Sequence, residues 1–198
     1  MKNFKGQSFV FLGKPGSGKG TQTAYLKEYL EKNNYKVIYV YTGAEGRKLA
    51  EEKNLVGKWI KSILSRGDFF PEWMAIFLWF NVLKDKLVSK DQIVIFDGTP
   101  RKLGEAEEID KLMVNLKRPL PIPIYVDIDD KESEKRLLNR GRQDDLIKPI
   151  RERIKNFHRN VVPVMKKYGK RVIEVDGFGP KQEVWEKLAK KLETKKLE

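Results

Sequence analysis

The sequence predicts one α/β domain, a five-stranded parallel sheet with helices on both faces, and three observations carry that expectation. Five short apolar runs alternate with amphipathic stretches of helix length along the whole chain. The first run, Ser8 to Leu12, passes straight into the glycine-rich segment Gly13-Lys14-Pro15-Gly16-Ser17-Gly18-Lys19-Gly20-Thr21-Gln22 and then into a helical pattern. Finally, 198 residues with 40% hydrophobic content suffice for one sizeable core carrying small insertions.

In chain order the predicted strands are Ser8 to Leu12, Val37 to Tyr41, Ile93 to Phe96, Ile122 to Ile128 and Arg171 to Val175. The predicted helices are Lys19 to Lys32, Arg47 to Lys53, Val56 to Arg66, Glu72 to Val88, Glu105 to Leu116, Lys131 to Asn139, Leu146 to Tyr168 and Lys181 to Glu193. About fifty residues separate the second strand from the third, more than the dozen or so that a crossover requires, which predicts an inserted helical subdomain. The most apolar segment, Trp73 to Leu83, falls well short of the ~20 residues of a membrane helix and reads as a core helix. In such sheets ligands sit beyond the carboxyl ends of the strands.

The segment from Gly13 to Gln22 is a phosphate-binding loop by its chemistry. Glycines at 13, 16 and 18 let backbone N–H groups turn inward, the helix that follows adds the positive end of its dipole, and Lys19 supplies a mobile cation. The hydroxyl expected directly after the lysine is displaced by Gly20 to Thr21. After the third strand, Asp97-Gly98-Thr99-Pro100-Arg101 offers a carboxylate able to order water around magnesium and an arginine able to reach a phosphate. Taken alone, Asp-Gly is also an ordinary turn. The basic cluster at Arg136, Arg140, Arg142, Arg151 and Arg153 has helical spacing, which equally suits a solvated face.

The formal charge of +13 suits a nucleic-acid binder and an enzyme holding two polyphosphates alike. Much of the excess is lysine along helices and in the tail from Lys187 to Glu198, where a solvated surface explains it. The chain has no cysteine, so neither a disulfide nor a thiolate zinc site is available, and a reducing cytoplasm is the expected compartment. Met1 to Gly6 leads directly into the first strand, and no export signal is expected. His158, the single histidine, reads as a packing or surface residue.

These motifs, in this order, resemble the adenylate kinases and related nucleoside monophosphate kinases. The loop is spelled Gly-x-Pro-Gly-Ser-Gly-Lys-Gly-Thr-Gln, and residues 97–101 resemble the family's Asp-Gly-Phe-Pro-Arg with Thr99 in place of the aromatic residue. Thr42-Gly43-Ala44-Glu45-Gly46-Arg47 is similar to the family's Ser-Thr-Gly-Asp-x-x-Arg, with Ala44 replacing the aspartate. Arg66-Gly67-Asp68-Phe69-Phe70-Pro71-Glu72 looks like the turn that closes the acceptor site. Residues 136–153 resemble the arginine pattern of the lid, shortened to the single Gly141 between Arg140 and Arg142.

The resemblance implies a P-loop nucleoside triphosphate hydrolase-like three-layer fold, with core segments 1–41, 72–138 and 146–198, an acceptor-binding insertion at 42–71 and a minimal lid at 139–145. It implies magnesium-dependent transfer between ATP and AMP to give ADP. Related kinases acting on GMP, UMP or CMP remain open, and a basic nucleic-acid-binding ATPase is a more distant alternative. Gly13, Pro15, Gly16, Ser17, Gly18, Lys19, Gly20, Thr21 and Gln22, with Arg136 and Arg140, would hold the donor. Thr42, Arg47, Gly98, Arg101, Glu105, Arg142 and Arg153 would hold the acceptor. Lys19, Arg101, Arg140, Arg142 and Arg153 would act on the transferring group, Asp144 and Asp145 would orient the lid arginines, and Thr21 and Asp97 would serve magnesium mainly through water. Arg151 has no counterpart in the pattern. No structural zinc, no membrane and no nucleic-acid partner is implied, and a monomer is expected. Glu105 stands where the family places a base-reading glutamine; it either faces the acceptor base or simply favours the first turn of its helix.

Overall fold

The computed structural model describes residues 3–141 and 145–195. Five strands, β1 (Ser8–Leu12), β2 (Val37–Tyr41), β3 (Ile93–Asp97), β4 (Ile122–Asp127) and β5 (Ile173–Asp176), form one sheet in the order β2-β3-β1-β4-β5, with every neighbouring pair parallel. The helices are α1 (Lys19–Lys32), α2 (Thr42–Ala50), α3 (Leu55–Arg66), α4 (Glu72–Lys86), α5 (Leu103–Asn115), α6 (Asp130–Arg140), α7 (Ile147–Asn156), α8 (Val162–Tyr168) and α9 (Lys181–Thr194).

The period-two alternation of side chains divides the core. Val10, Leu12, Val94 and Phe96 face a cluster with Trp79, Met113 and Tyr168, brought by α4, α5 and α8. Phe9, Phe11, Ile93 and Ile95 face the opposite cluster with Leu26, Leu30 and Leu188, brought by α1 and α9. Both faces of β1 are therefore covered and all five of its residues are buried, as a continuous apolar run requires. A smaller cluster of Ile60, Ile63, Phe70, Met74 and Leu78 closes the helical insertion after β2. Among the described residues no helix is long and apolar enough to cross a membrane.

β1 is where the strand order reverses, since β2 and β3 lie on one side of it and β4 and β5 on the other. A crevice at the carboxyl ends follows from that topology. Register sharpens it: Phe11 pairs with Asp97, and Asp97 pairs with Tyr41, so these three stand in one row at the edge.

Two helix expectations are corrected. The helix expected from Arg47 begins at Thr42, because β2 turns directly into α2 with no intervening loop. The helix expected to run unbroken from Leu146 to Tyr168 is interrupted by a π-helical turn, Phe157–Val161. Pro163 supplies the reason, since it has no N–H to offer the carbonyl one turn back and its ring displaces that carbonyl. Exposed His158 lies in this turn, its Nε2 3.0 Å from Asp130 Oδ2.

Candidate active site

The phosphate loop is shaped by backbone that only glycine adopts readily. Gly13, Gly16 and Gly18 have φ values of 146°, 77° and 95°. A Cβ at Gly13 would also stand 2.5 Å from the carbonyl oxygen of Val126, so that position is closed to any side chain. Gly18 caps α1 without a side-chain acceptor, so no side-chain cap occupies the N-terminus of the helix beside the hollow. Ser17 is 1% exposed and its Oγ has no hydrogen-bond partner among the described residues. A buried orphan hydroxyl is costly unless a ligand meets it, and a phosphate oxygen in the hollow would do so.

Lys19 Nζ bridges the hollow by donating to the carbonyls of Gly13 at 2.8 Å and Lys14 at 2.7 Å. The residue as a whole is half-exposed, but its ammonium lies deep in the loop. That burial pushes its pKa down to about 8; Asp97 opposes the shift, and Arg101 and Arg140 add to it.

At the end of β3, Asp97 is buried, and its Oδ2 accepts a 2.6 Å hydrogen bond from Tyr39 Oη. The same oxygen faces Gly20, 3.6 Å from where a Cβ would stand. Gly98, at φ 77°, then turns the chain so that Arg101 Nε donates to the Gly98 carbonyl at 2.8 Å. The Arg101 guanidinium rests 4.7 Å from the Phe69 ring centroid. Burial lowers its pKa, with Glu105, Tyr41 and Asp97 acting against the shift, and an arginine keeps its charge regardless. Glu105 supports this turn from beneath: its Oε2 accepts from Thr99 Oγ1 at 2.7 Å and from the Arg101 backbone N–H at 2.9 Å. At 1% exposure, burial raises its pKa against those two hydrogen bonds.

From the insertion, Thr42 Oγ1 donates to the Gly98 carbonyl at 3.2 Å, tying α2 to the turn after β3. Arg47 lies 5.2 Å above the Tyr41 ring and donates to Tyr41 Oη at 2.8 Å. Each of these two arginines thus rests on an aromatic face. Asn54 caps α3 by accepting from the Gly57 N–H at 2.8 Å, and Gly67 ends that helix at φ 77° with its backbone against Pro149.

From the other side, Arg136 donates to Glu132 Oε1 at 2.7 Å and to the Gly177 carbonyl at 3.1 Å. Arg140 grips Asp145 with two hydrogen bonds of 2.8 and 2.7 Å, and Arg153 reaches the same carboxylate at 2.9 Å. The Asp145 side chain is fully buried between them, which holds both guanidinium groups at the cavity. Arg151 pairs with Glu134 on the outer surface, away from the site. Arg142 and Asp144, expected in the lid, lie outside the described residues.

One cavity of about 760 Å³ joins these groups. Every predicted site residue among those described lines it except Thr42, Glu105 and Asp145, which are buried behind its wall. Phe69 comes from the segment read as the turn that closes the acceptor site, whereas Tyr39 and Tyr41 carried no signal beyond preceding the motif that starts at Thr42.

The family profile described as adenylate kinase matches residues 11–173. The chain belongs to the adenylate kinase family. It is 33% identical over 159 residues to an adenylate kinase of Prochlorococcus marinus, covering 80% of this chain and 82% of that protein. It is 31% identical over 189 residues to an adenylate kinase of Thermus thermophilus, covering 92% of this chain and 95% of that one. The five-stranded parallel sheet of this P-loop fold is the architecture that the resemblance implied.

Proposed function

We propose that this chain catalyses reversible, magnesium-dependent phosphoryl transfer between ATP and AMP to give two ADP. Membership of the adenylate kinase family makes it a phosphotransferase. The observation that carries the reading is that the phosphate loop and the Arg101 turn share one cavity, so donor and acceptor phosphates can meet in line.

In this reading the loop N–H groups, Ser17 and Lys19 hold the donor phosphates, with Gln22 and Arg136 completing the donor side. Arg47 and Arg101 take the acceptor phosphate; Arg140, Arg142 and Arg153 neutralise charge on the transferring group. A general base is unnecessary, because the attacking oxygen belongs to an ionised monophosphate. Thr21 and Asp97 would serve magnesium mainly through water, a fit supported by the Asp97 carboxylate facing the loop at Gly20. A magnesium ion held there would supply positive charge against the charge that develops on the donor phosphates. We assign residues 42–71 to the acceptor-binding insertion, 139–145 to the lid and the remainder to the core, with closure of both over the cavity excluding water. Because one chain supplies both ends of the cavity, a monomer is sufficient. A cysteine-free chain suits the reducing cytoplasm proposed for it.

Base choice is the open part of this assignment, and Glu105 is the residue to test. Its Oε2 is occupied by Thr99 and the Arg101 N–H, which leaves Oε1 for a base. An ionised carboxylate only accepts, so it matches the paired donors of guanine better than the donor–acceptor edge of adenine. A coupled assay with ATP against AMP, GMP, CMP, UMP and dTMP should give AMP the highest kcat/KM. Glu105→Gln should raise the preference for AMP over GMP by about 1–2 kcal/mol, the scale of one corrected hydrogen bond. An unchanged ratio would show that Glu105 only anchors the turn and the first turn of α5.

A further inference from the structure

Tyr39 lies on β2, two residues before the cavity edge and on the same strand face as Tyr41. Its ring packs on the core cluster beside α1, a place that phenylalanine would fill equally well. What a phenylalanine would lack is the hydroxyl, which donates to Asp97 Oδ2 at 2.6 Å. A phenol carries its proton wherever the carboxylate is ionised, so the hydroxyl is the donor of this pair.

Asp97 needs such a restraint because two cations compete for it. Lys19 and Arg101 line the same cavity as Asp97 and are the cations its carboxylate would turn toward. A carboxylate free to rotate would close on one of them, cancelling a charge meant for phosphate and withdrawing an oxygen from the phosphate loop. The hydrogen bond from Tyr39 comes from the strand side and holds Oδ2 where it faces Gly20.

We propose that Tyr39 is a positioning residue whose hydroxyl pins Asp97 beneath the phosphate loop, presenting the carboxylate to a divalent cation on the donor triphosphate rather than to Lys19. The proposal rests on the assignment of Asp97 to magnesium. Its test is equilibrium binding, measured by calorimetry, of a non-hydrolysable ATP analogue with and without magnesium, for the unmodified protein, Tyr39→Phe, Asp97→Asn and the double variant.

The unmodified protein should bind the analogue more tightly with magnesium. Tyr39→Phe should lose roughly tenfold or more of that gain, as expected for one hydrogen bond to a charged group, with a clearly smaller loss of metal-free affinity from the charge the freed carboxylate takes from Lys19. In the Asp97→Asn background the second substitution should have no further effect. A full magnesium gain in Tyr39→Phe, alongside a gain lost in Asp97→Asn, would overturn the role of Tyr39 alone, as would an equal loss of metal-free binding. No magnesium gain in the unmodified protein, or one that Asp97→Asn leaves intact, would overturn the metal assignment and the proposal with it.

Discussion

Replacing Lys19 with alanine is expected to leave a folded protein whose turnover is at least about 100-fold lower, because a preorganised cation in a dry site is worth several kcal/mol on the transferring phosphates. The fold should survive, since the hydrogen bonds of Lys19 Nζ among the described residues go to the Gly13 and Lys14 carbonyls of its own loop. Burial holds its pKa at about 8. Bound phosphates favour the charged form and raise that pKa, so the complex carries more protons than the free protein. Donor affinity should therefore fall as pH rises above about 8, and calorimetry in buffers of different ionisation enthalpy should detect proton uptake on binding in that range. Lys19→Ala should lack the uptake. Near-normal turnover of this variant would remove the phosphate-loop assignment.

Arg101→Ala should lower turnover on the same scale and also raise the Michaelis constant for the acceptor. Arg101 projects into the cavity from a turn held on both sides, by Gly98 against its Nε and by Glu105 against its backbone N–H. Truncation removes the side chain's charge, and with it an interaction with the phosphate in ground state and transition state together, while the backbone bond to Glu105 still holds the turn. Steady-state kinetics with each substrate varied in turn separates the two effects. Acceptor kinetics unchanged in Arg101→Ala would show that residues 97–101 form an ordinary turn.

How far the sequence could be read depended on how local the cause was. β1, the loop and α1 were legible to the residue, because a doubly buried strand, three glycines with positive φ and a helix start follow one another without interruption. The start of α2 was not, since Thr42 and Gly43 are weak helix formers and only their packing against the turn at Gly98 recruits them. Pro163 was visible, yet its effect appears upstream as a π turn whose extent is set by packing of Phe157 and Val161 in the core. In the site, glycines and arginines announced themselves by motif. Tyr39 and Tyr41 did not, because an aromatic residue in an apolar run reads as core until the register of β2 against β3 brings it beside Asp97. The burial of Asp145 between two arginines likewise depends on how α6 and α7 pack together.

The central claim, transfer of a phosphoryl group from ATP to AMP rather than to water, is tested most directly by following purified protein, ATP, AMP and magnesium with phosphorus NMR. ADP resonances should grow at the expense of ATP and AMP in equal amounts, with no inorganic phosphate, and the same mixture should be reached starting from ADP alone. ATP consumed with release of inorganic phosphate while AMP persists, most of all if RNA or DNA accelerates it, would contradict the account and point to a nucleic-acid-stimulated ATPase.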